Sequence, residues 1–528
     1  MGVVSRAALA ELTWLATQPD RTRHQDGPLT KGDHEGMTML DQTVETVVGL
    51  LWSTPMIYLV LAVGLYFTVR LLFPQLRRMS DMARYLLGGG GSAHGVSSFQ
   101  AFAMALGGRV GVGNIAGVAT AIHFGGPGAM FWMWVTAFIG SAVAVVESSL
   151  AQVWKQEVNG EYRGGPAFYI EKGLGLKWFA ALYALATVLA CTITGPSIQA
   201  FNIAESANNA FTIDPRITGA VVALLFCAVA LGGMKRIGRI SGLVVPIMAA
   251  AYVLLGLVML VINADVVPAM FGLIFRSALG GEAMFGGMIG AVIMWGVRRA
   301  IYSSEAGTGS GAQASAAAEV SHPVKQGLAQ GFSVYVDTLV ICTITGLMIL
   351  STNSYNVEGP DGQLIVQYAP GLEAGPAYTQ AAIDSVFPGL GSGFVAIAMF
   401  FFAFTTLLSF SFYADTNIAY LVRSARWERP VNTVFQLVLA GSILLGSFRS
   451  SEFAWALADI GIGLYTWINL IALVFLSPTA VAVFKDYERQ RRAGQDPVFD
   501  PESIGITNAP VWRDIAARHE TTTPITPR

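Results

Sequence analysis

Two short stretches of glycine and polar residues interrupt otherwise apolar segments, and they are the part of this sequence best suited to bind a small ligand. The first reads GGRVGVGN at residues 107–114, and the second reads SSEAGTGSG at residues 303–311. Where a helix breaks at such a stretch, free amides attract a carboxylate, and free carbonyls accept an ammonium group or a sodium ion. The two stretches therefore predict a site for a small zwitterion and a hard cation.

The segments that must position these stretches are long and apolar. Only 12% of the 528 residues are charged and 53% are hydrophobic, which leaves too few charged residues to coat several soluble domains. Eleven segments are long enough to cross a bilayer, and they predict an all-α polytopic membrane protein. These predicted spans run at about 47–69, 98–124, 128–154, 178–205, 217–231, 240–263, 282–320, 330–351, 391–421, 431–448 and 453–484.

The interruptions fall in the second and the seventh predicted spans. Broken helices at corresponding places in two five-helix halves are typical of inverted-repeat secondary transporters, in which the broken ends meet near the membrane midplane. Close helix packing is the alternative, since Gly113 and Gly117 also fit the GxxxG pattern. Two polar interruptions at matched positions favour a binding site. Neither stretch contains a Walker motif or a correctly spaced GxGxxG, so a phosphate loop is excluded.

Positive charge in the loops predicts the orientation, because short translocated loops avoid lysine and arginine. One set of alternate loops holds nineteen such residues, and the other holds only Arg216, Arg276 and Arg449. We therefore expect a multi-pass protein of the plasma membrane, in bacteria the inner membrane, with a cytoplasmic C-terminus. The balance of 32 basic and 34 acidic residues provides no basic surface for nucleic acid.

The chain divides into a polar N-terminal tail at 1–45, a transmembrane domain at 46–485 and a cytoplasmic C-terminal tail at 486–528. An odd number of spans places the N-terminus outside, which would export a tail with four basic residues. Because that conflicts with the charge rule, we expect the N-terminal tail to be dispensable, with Met37 or Met39 as an alternative start.

Longer motifs around the interruptions resemble a known family. They are GVGNIAGVATAI at 111–122, GGPGAMFWMWVTA at 125–137, GGP at 164–166, MWGVRR at 294–299 followed by SSEAG at 303–307, and HP at 322–323. On these residues, roughly 47–485 resembles the alanine or glycine:cation symporter family. The resemblance implies a leucine-transporter-type 5+5 inverted repeat, here with one extra N-terminal span. It also implies sodium-coupled import of alanine, glycine or a close relative by alternating access, with sodium as the coupling ion and no cofactor.

The same resemblance implies which residues form the site. The substrate-binding residues would be Gly108, Gly111, Gly113, Asn114, Gln199, Ser303, Glu305, Gly307, Thr308, Thr406 and Phe410. The sodium-binding residues would be Gly107, Val110, Asn114, Phe402, Thr405 and Thr406, with no transition metal. Without the resemblance, adjacent threonines in a helix more often bond to their own backbone carbonyls.

The chain departs from the family pattern at positions that bear on substrate choice. It has Gly111–Asn114 as GVGN where the family usually has GTGN, and Ser304 where the family has asparagine. After the paired threonines, Ser409 and Phe410 replace a glycine and a tryptophan, on the helix expected to wall the pocket. The serine adds a hydroxyl, and the phenylalanine removes ring volume and an N–H donor, so the particular amino acid stays open.

Several ionisable residues lie inside the predicted spans, where such residues are functional candidates. Arg109, Glu147, Glu305 and Asp337 are candidates for an internal charge network, with Glu305 favoured for function. For Glu147 and Asp337 we expect an ion pair or a helix-terminus contact. Arg298 and Arg299 would stabilise broken-helix carbonyls or a gate.

Two other functions stay open or are disfavoured at this point. Proton-coupled symport or amino acid exchange is the alternative within transport, and Glu305 would then carry the proton. A membrane-embedded enzyme lacks support, because the sequence has no HExxH helix and no GxSxG elbow, and its six histidines are scattered.

Overall fold

The computed structural model describes residues 39–86, 94–281 and 288–515. The chain forms two compact units, 1–40 and 41–528, and of the first unit only Met39 and Leu40 are described. Several predicted features therefore lie outside the described residues. They are most of the N-terminal tail, the candidate start Met37, the first six residues of the seventh span and the end of the C-terminal tail. Met39 is the first residue of a helix.

Helices make up most of the described chain. The first half contains α1 (Met39–Leu51), α2 (Thr54–Arg70), α3 (Pro74–Arg77), α4 (Met79–Leu86), α5 (Ser98–Arg109), α6 (Val118–Gly125), α7 (Ala129–Val153), α8 (Pro166–Leu174), α9 (Lys177–Leu189), α10 (Gly195–Phe211) and α11 (Pro215–Ala230). The second half contains α12 (Met234–Ile262), α13 (Val267–Ala278), α14 (Ile289–Ser304), α15 (Ser310–Ala316), α16 (Pro323–Val334), α17 (Thr343–Ser351), α18 (Pro376–Val386), α19 (Gly391–Val422), α20 (Ala425–Gly446), α21 (Ser451–Arg492) and a 3₁₀ turn at Glu502–Ile504. Three π-helical turns, Gly113–Gly117, Ala190–Thr194 and Tyr335–Cys342, join α5 to α6, α9 to α10 and α16 to α17.

Two small antiparallel hairpins accompany the helices and were not predicted. Strands β1 (Gln156–Val158) and β2 (Glu161–Arg163) pair with Glu157 opposite Tyr162. Strands β3 (Asn356–Glu358) and β4 (Leu364–Gln367) pair with Val357 opposite Val366. Both hairpins are short and lie in loops, where the sequence has no apolar periodicity that would predict a strand.

The membrane-length helices agree with the predicted spans. Seven described helices are long and apolar enough to cross a bilayer, and the bent pair of α5 with Gly113–Gly125 makes an eighth. The seven are Thr43–Arg70, Ala129–Val153, Lys177–Phe211, Met234–Ile262, Pro323–Ser351, Gly391–Val422 and Ser451–Arg492. Helices α11, α14 and α20 lie at three further predicted spans, so the count of eleven crossings stays a prediction.

The first interrupted helix starts at a capping box and ends in the glycine-rich stretch. Gln100 N–H donates to the Ser97 hydroxyl at 3.1 Å, and Ser97 N–H donates to Gln100 Oε1 at 3.0 Å, which fixes the start of α5. Helix α5 ends at Arg109, and the two halves of the span are bent by 50°. Glycine is a poor helix former, so the glycines of this stretch favour the break.

The second interruption separates α14 from α15 by backbone in the left-handed region. Glu305, Gly307 and Gly309 have φ angles of +52°, +88° and +82°. Glycine adopts such angles readily, whereas glutamate does so at a cost. Strained backbone of this kind clusters at functional sites, and here it lies at the stretch that the sequence singles out.

The helices that follow the two breaks run antiparallel. The Ser141 hydroxyl of α7 donates to the Gly331 carbonyl of α16 at 2.9 Å. One turn further along α16 toward its N-terminus, a Cβ at Gly327 would lie 2.2 Å from the Ser149 Oγ. Equivalent helices of the two halves therefore pack with opposite directions, as an inverted repeat requires. The predicted leucine-transporter-type fold class is confirmed.

The segment after the last span packs against the helices. Helix α21 continues to Arg492, past the predicted boundary at 485. Beyond it, the Phe499 and Trp512 side chains are buried, and the Trp512 indole N–H lies 3.1 Å from the carbonyls of both Gln152 and Val153. The described part of this segment is thus anchored to the C-terminal end of α7.

Candidate functional site

The two breaks meet in the interior of the bundle. Arg109, at the end of α5, donates from Nε to the Ser304 carbonyl at 2.6 Å. A Cβ at Gly113 would lie 3.0 Å from the Ser303 Cα, so the backbones approach as closely as a glycine allows. A Cβ at Gly108 would lie 3.2 Å from the Glu305 carboxylate. The sequence predicted that these stretches face one another, and the structure brings them together.

Arg109 is buried and ties the first break to two helices of the second half. Its Nη1 donates to Gln330 Oε1 at 3.0 Å and also to the Ser333 hydroxyl. A Cβ at Gly311 would lie 2.4 Å from Nη2, so the guanidinium occupies space that a larger residue at 311 would fill. Arg109 therefore binds a carbonyl and neutral side chains rather than a carboxylate at hydrogen-bond distance in the described chain.

Asn114 and Ser303 meet at a buried carboxylate. The Gly111 N–H donates to Asn114 Oδ1 at 2.9 Å, and Asn114 Nδ2 donates to Asp337 Oδ1 at 2.6 Å. The Ser303 hydroxyl donates to Asp337 Oδ2 at 2.8 Å. Asp337 thus links one residue from each break. The sequence identified Asp337 only as a charged residue at membrane depth. The residues that bond to Asp337 are too distant in the chain to be predicted from the sequence.

Gln199 and Thr406 approach the first break from two other helices. The Val112 N–H donates to Gln199 Oε1 at 3.3 Å. A Cβ at Gly111 would lie 2.4 Å from Thr406 Oγ1 and 3.3 Å from Gln199 Oε1. Both side chains therefore pack directly on the backbone of the break.

Four of the groups predicted to bind sodium lie together. The Thr406 hydroxyl donates to the carbonyls of Gly107 at 2.9 Å and Phe402 at 3.1 Å, and the Thr405 hydroxyl donates to the Phe402 carbonyl at 3.0 Å. Thr405 thus bonds within its own helix, whereas Thr406 also reaches across to α5. Within the described residues, the Val110 carbonyl and the Asn114 amide are not hydrogen-bonded to this group.

Side chains from other helices hold the backbone of the second break. The Gly309 N–H, at the start of α15, donates to Glu147 Oε2 at 3.1 Å. Asn469 Nδ2 donates to Glu147 Oε2 at 3.1 Å and to the Gly307 carbonyl at 2.9 Å. The Tyr183 hydroxyl donates to the Thr308 carbonyl at 3.0 Å. Glu147 therefore makes the expected contact with a helix terminus, while sequence reasoning missed Asn469 and Tyr183.

Glu305 points its carboxylate toward the first break and toward α19. The Tyr413 hydroxyl donates to Glu305 Oε2 at 3.4 Å, and a Cβ at Gly108 would come within 2.6 Å of that hydroxyl. The Thr308 hydroxyl donates to the Glu305 carbonyl at 2.7 Å, which closes the turn after α14. Glu305 is thus enclosed by residues from both breaks and one wall helix.

Ser409 and Phe410, the two residues of α19 that differ from the family pattern, contact neighbouring helices. The Ser409 hydroxyl donates to the carbonyls of Met104 on α5 at 2.8 Å and Thr405 at 3.1 Å. The Phe410 ring is buried, and its Cε2 would lie 2.7 Å from a Cβ at Gly195. The added hydroxyl therefore joins α19 to the first half of the interrupted helix, and the smaller ring packs against the start of α10.

The arrangement favours a hard cation over a transition metal. Its candidate ligands are carbonyl and hydroxyl oxygens, which suit sodium rather than softer ions. Among the described residues, no group of three or more histidine, cysteine, aspartate or glutamate side chains is placed to hold a metal.

These features define a class of protein. A bundle of membrane-length helices with two broken helices that meet in its interior is typical of multi-pass membrane transporters. The chain belongs to the sodium:alanine symporter family, whose model matches residues 37–501. This family consists of transporters and not of enzymes.

The chain is similar over most of its length to curated relatives. A protein of Bacillus subtilis (strain 168), named as a sodium/proton-dependent alanine carrier, is 52% identical over 469 residues, which cover 89% of this chain and 97% of that protein. A protein of the same name from Bacillus sp. (strain PS3) is 45% identical over 443 residues, 83% of this chain and 98% of that protein. A second Bacillus subtilis protein, named as a sodium/glutamine symporter, is 41% identical over 467 residues, 87% of this chain and 94% of that protein.

Proposed function

We propose that this protein is a sodium-coupled symporter that imports small neutral amino acids, namely alanine, glycine or a close relative, by alternating access. The observation that carries the proposal is the direct meeting of the two broken helices, through Arg109 and the Ser304 carbonyl and through Gly113 and Ser303. Broken helix ends present amides and carbonyls that do not take part in helix hydrogen bonds, and such groups can bind a charged ligand without extra buried charged side chains. Membership of the sodium:alanine symporter family supports the same function.

The sodium ion would bind where α19 touches the first break. The carbonyls of Gly107, Val110 and Phe402 and the hydroxyls of Thr405 and Thr406 would supply oxygen ligands. Asn114 would offer its amide oxygen near the ion or the substrate. The short distances among Gly107, Phe402 and Thr406 support this assignment. When the ion binds, each hydroxyl turns its proton away and offers a lone pair. Binding sodium would thereby stiffen the contact between α19 and the first break.

The amino acid would lie between the two breaks. Its carboxylate would meet the amides of the first break, and its ammonium group would meet freed carbonyls and the carboxylate of Glu305. The enclosing residues are Gly108, Gly111, Gly113, Asn114, Gln199, Ser303, Glu305, Gly307, Thr308, Thr406 and Phe410. The buried Phe410 ring would form part of a small hydrophobic wall that limits the size of the substrate side chain.

We further propose a plasma-membrane location, in bacteria the inner membrane, with the C-terminus in the cytoplasm. The support is the distribution of loop charges, nineteen lysines and arginines on one side against three on the other. The N-terminal tail at 1–45 would be dispensable for transport.

Uptake into proteoliposomes tests the coupling ion. With an inward sodium gradient and no pH gradient, we expect labelled alanine to accumulate above its equilibrium level, because sodium binding and alanine binding stabilise the same site. The matched control replaces the sodium gradient with a potassium gradient of equal size. Equilibration without accumulation in both cases would refute sodium symport.

Proton coupling is the second candidate, and one observation favours it. The Glu305 carboxylate lies in the break beside the Tyr413 hydroxyl and the Gly108 backbone, where a proton could be carried with the substrate. Accumulation driven by a pH gradient in the absence of sodium, and lost in Glu305→Gln, would establish this function instead. Sodium-driven accumulation that persists in Glu305→Gln would exclude it.

Thr406→Ala is expected to raise the sodium concentration for half-maximal uptake about tenfold or more. A hydrogen-bonding contact with a charged group is worth about 1.5–3 kcal/mol, and each 1.4 kcal/mol is a factor of ten in affinity. The matched control is Thr187→Ala, since the buried Thr187 hydroxyl donates to the Tyr183 carbonyl of its own helix at 2.9 Å. Equal sodium dependence in the two variants would show that Thr406 is not a ligand.

A further inference from the structure

A second cavity lies beside the breaks, on the side that the loop charges predict to face outward. Its volume is about 1080 Å³, and it lies between α1, α6, α14, the β3 hairpin loop and the start of α21. Two consecutive arginines of α14, Arg298 and Arg299, line it together with Asp459 of α21. The proposed amino acid site does not use these residues.

The two arginines are not balanced by the one carboxylate between them. Both guanidinium groups are buried, with Arg299 only 2% exposed. Arg298 Nη2 pairs with Asp459 Oδ2, and Arg299 Nη1 lies 3.7 Å from Asp459 Oδ1. One carboxylate therefore faces two cations. A buried charge without a partner is costly, so this end of the cavity favours a further anion.

Hydrogen-bond donors of the arginines stay available. In the part of the chain that the structure describes, Nε and Nη1 of Arg299 and Nε of Arg298 have no hydrogen-bond partner, although each atom is buried. A guanidinium presents its N–H groups in a planar fork that matches the two oxygens of a carboxylate. Phosphate would match the fork as well, but a carboxylate is the anionic group of the proposed substrate.

Aromatic rings enclose the arginines and strengthen their interaction with an anion. The Arg299 guanidinium carbon lies 3.9 Å from the Trp455 ring centroid and 5.0 Å from that of Trp295. The rings orient the guanidinium by cation–π contact and keep water from two of its faces. An ion pair formed in such a place is screened less than one at the surface.

The rim of the same cavity carries the opposite charge. Four glutamates line it, and they are partly or fully exposed: Glu45, Glu358, Glu373 and Glu452. Glu358 lies 3.4 Å from His123 Nε2, and the other three are exposed. The cavity is thus polarised, with a cationic floor and an acidic rim. A zwitterion in it is oriented with its carboxylate toward Arg299 and its ammonium group toward the rim.

Only one layer of side chains separates the cavity floor from the first break. The centroids of the Trp455 and Tyr302 rings lie 5.1 Å apart with the ring planes tilted by 58°, and Tyr302 Cδ1 would lie 3.2 Å from a Cβ at Gly113. A ligand carboxylate held by Arg299 would therefore be separated from the first break by these rings. Movement of the Tyr302 and Trp455 rings would pass it inward in the same orientation.

We propose that Arg299, with Arg298, forms a staging site that binds the carboxylate of the incoming amino acid in the outer cavity before it reaches the breaks. This proposal rests on the proposed function for the identity of the ligand. Asp459 acts as the internal competitor, since it occupies the arginines when no substrate is bound. The acidic rim holds the ammonium group, so the amino acid enters carboxylate first.

Tryptophan fluorescence of the purified full-length protein tests the site directly, because Trp295 and Trp455 contact Arg299. In sodium-free buffer, propionate should change the fluorescence in a saturable manner, whereas propionamide, the uncharged analogue, should not. Arg299→Gln should abolish the response, and Arg299→Lys should retain part of it, since lysine keeps the charge without the fork. The matched control is Arg449→Gln, which removes an arginine near the same face but outside the cavity.

Two further variants separate this site from the breaks and guard against loss of folding. Asn114→Ala should bind propionate as the unmodified protein does, because Asn114 belongs to the breaks. Asp459→Asn should bind propionate about tenfold more tightly, because it removes the competing carboxylate. Loss of propionate binding in Asn114→Ala, or unchanged or weaker binding in Asp459→Asn, would overturn the staging site.

Transport measurements complete the test. Arg299→Gln should raise the KM for alanine about tenfold or more, while the rate at saturating alanine is unchanged. A lower maximal rate with an unchanged KM would indicate a purely structural role and overturn the proposal. Alanine accumulation without propionate binding would overturn the staging site alone. Propionate binding without sodium-driven accumulation would refute the proposed function and support the anion site.

Discussion

Asn114→Ala is expected to reduce sodium-driven alanine uptake on the order of a hundredfold while the protein stays folded. The substitution removes the bond from Asn114 to Asp337 and the acceptor of the Gly111 N–H. A buried polar group left without a partner costs about 1–3 kcal/mol, and about 3 kcal/mol corresponds to a hundredfold loss. Uptake into proteoliposomes at a fixed sodium gradient measures the loss, with size-exclusion chromatography as the check on folding.

Asn202→Ala is the matched control for this prediction. Asn202 is as deeply buried as Asn114, but its Nδ2 donates to the Ile198 carbonyl one turn earlier in the same helix, at 2.9 Å. Removing it disturbs a hydrogen bond within one helix. Normal uptake by folded Asn114→Ala protein, or an equal loss in Asn202→Ala, would show that Asn114 is not a functional part of the site.

The two breaks could be predicted from the sequence because membrane helices are otherwise so uniform. A bilayer tolerates unpaired backbone only where protein encloses it, so arginine, asparagine and glutamate among glycines mark an enclosed cavity. The resemblance of the motifs to the family then implied that Thr405, Thr406 and Gln199 belong to the site. The structure places Thr406 and Gln199 against Gly111, and their roles in binding stay predictions.

The partners of the breaks could not be predicted in the same way. Asp337 lies 223 residues from Asn114, and Asn469 lies 322 residues from Glu147. In a membrane protein the lipid-facing and buried faces of a helix are both apolar, so periodicity does not reveal which face meets which neighbour. A lone polar residue in a span therefore signals that it has a partner, but not which one.

The departures from the family pattern illustrate the same limit. The sequence indicates that Ser409 adds a hydroxyl to a wall helix, and it predicts a polar effect on the pocket. In the structure, that hydroxyl donates to the Met104 carbonyl of α5 and thus joins two helices. The direction of a side chain is set by the packing angle of α19 against α5, which only the folded bundle determines.

Gly309→Ala is expected to abolish uptake and to lower the melting temperature more than any ordinary surface substitution. Gly309 has a φ of +82°, and a Cβ there would lie 2.2 Å from the Pro166 Cγ and 2.9 Å from the Tyr183 hydroxyl. The left-handed conformation alone costs alanine about 1–2 kcal/mol. The proline ring is rigid, so relief of the overlap must displace the second break and its bond to Glu147.

Gly362→Ala separates the clash from the backbone penalty. Gly362 has nearly the same φ, +77°, but no atom lies within 4 Å of the position of its Cβ. Thermal unfolding followed by tryptophan fluorescence should show a small shift for Gly362→Ala and a several-fold larger one for Gly309→Ala, and only the latter should stop uptake. Equal shifts in the two variants would mean that backbone conformation alone sets the cost. The close packing of α8 on the second break would then not be what requires glycine at 309.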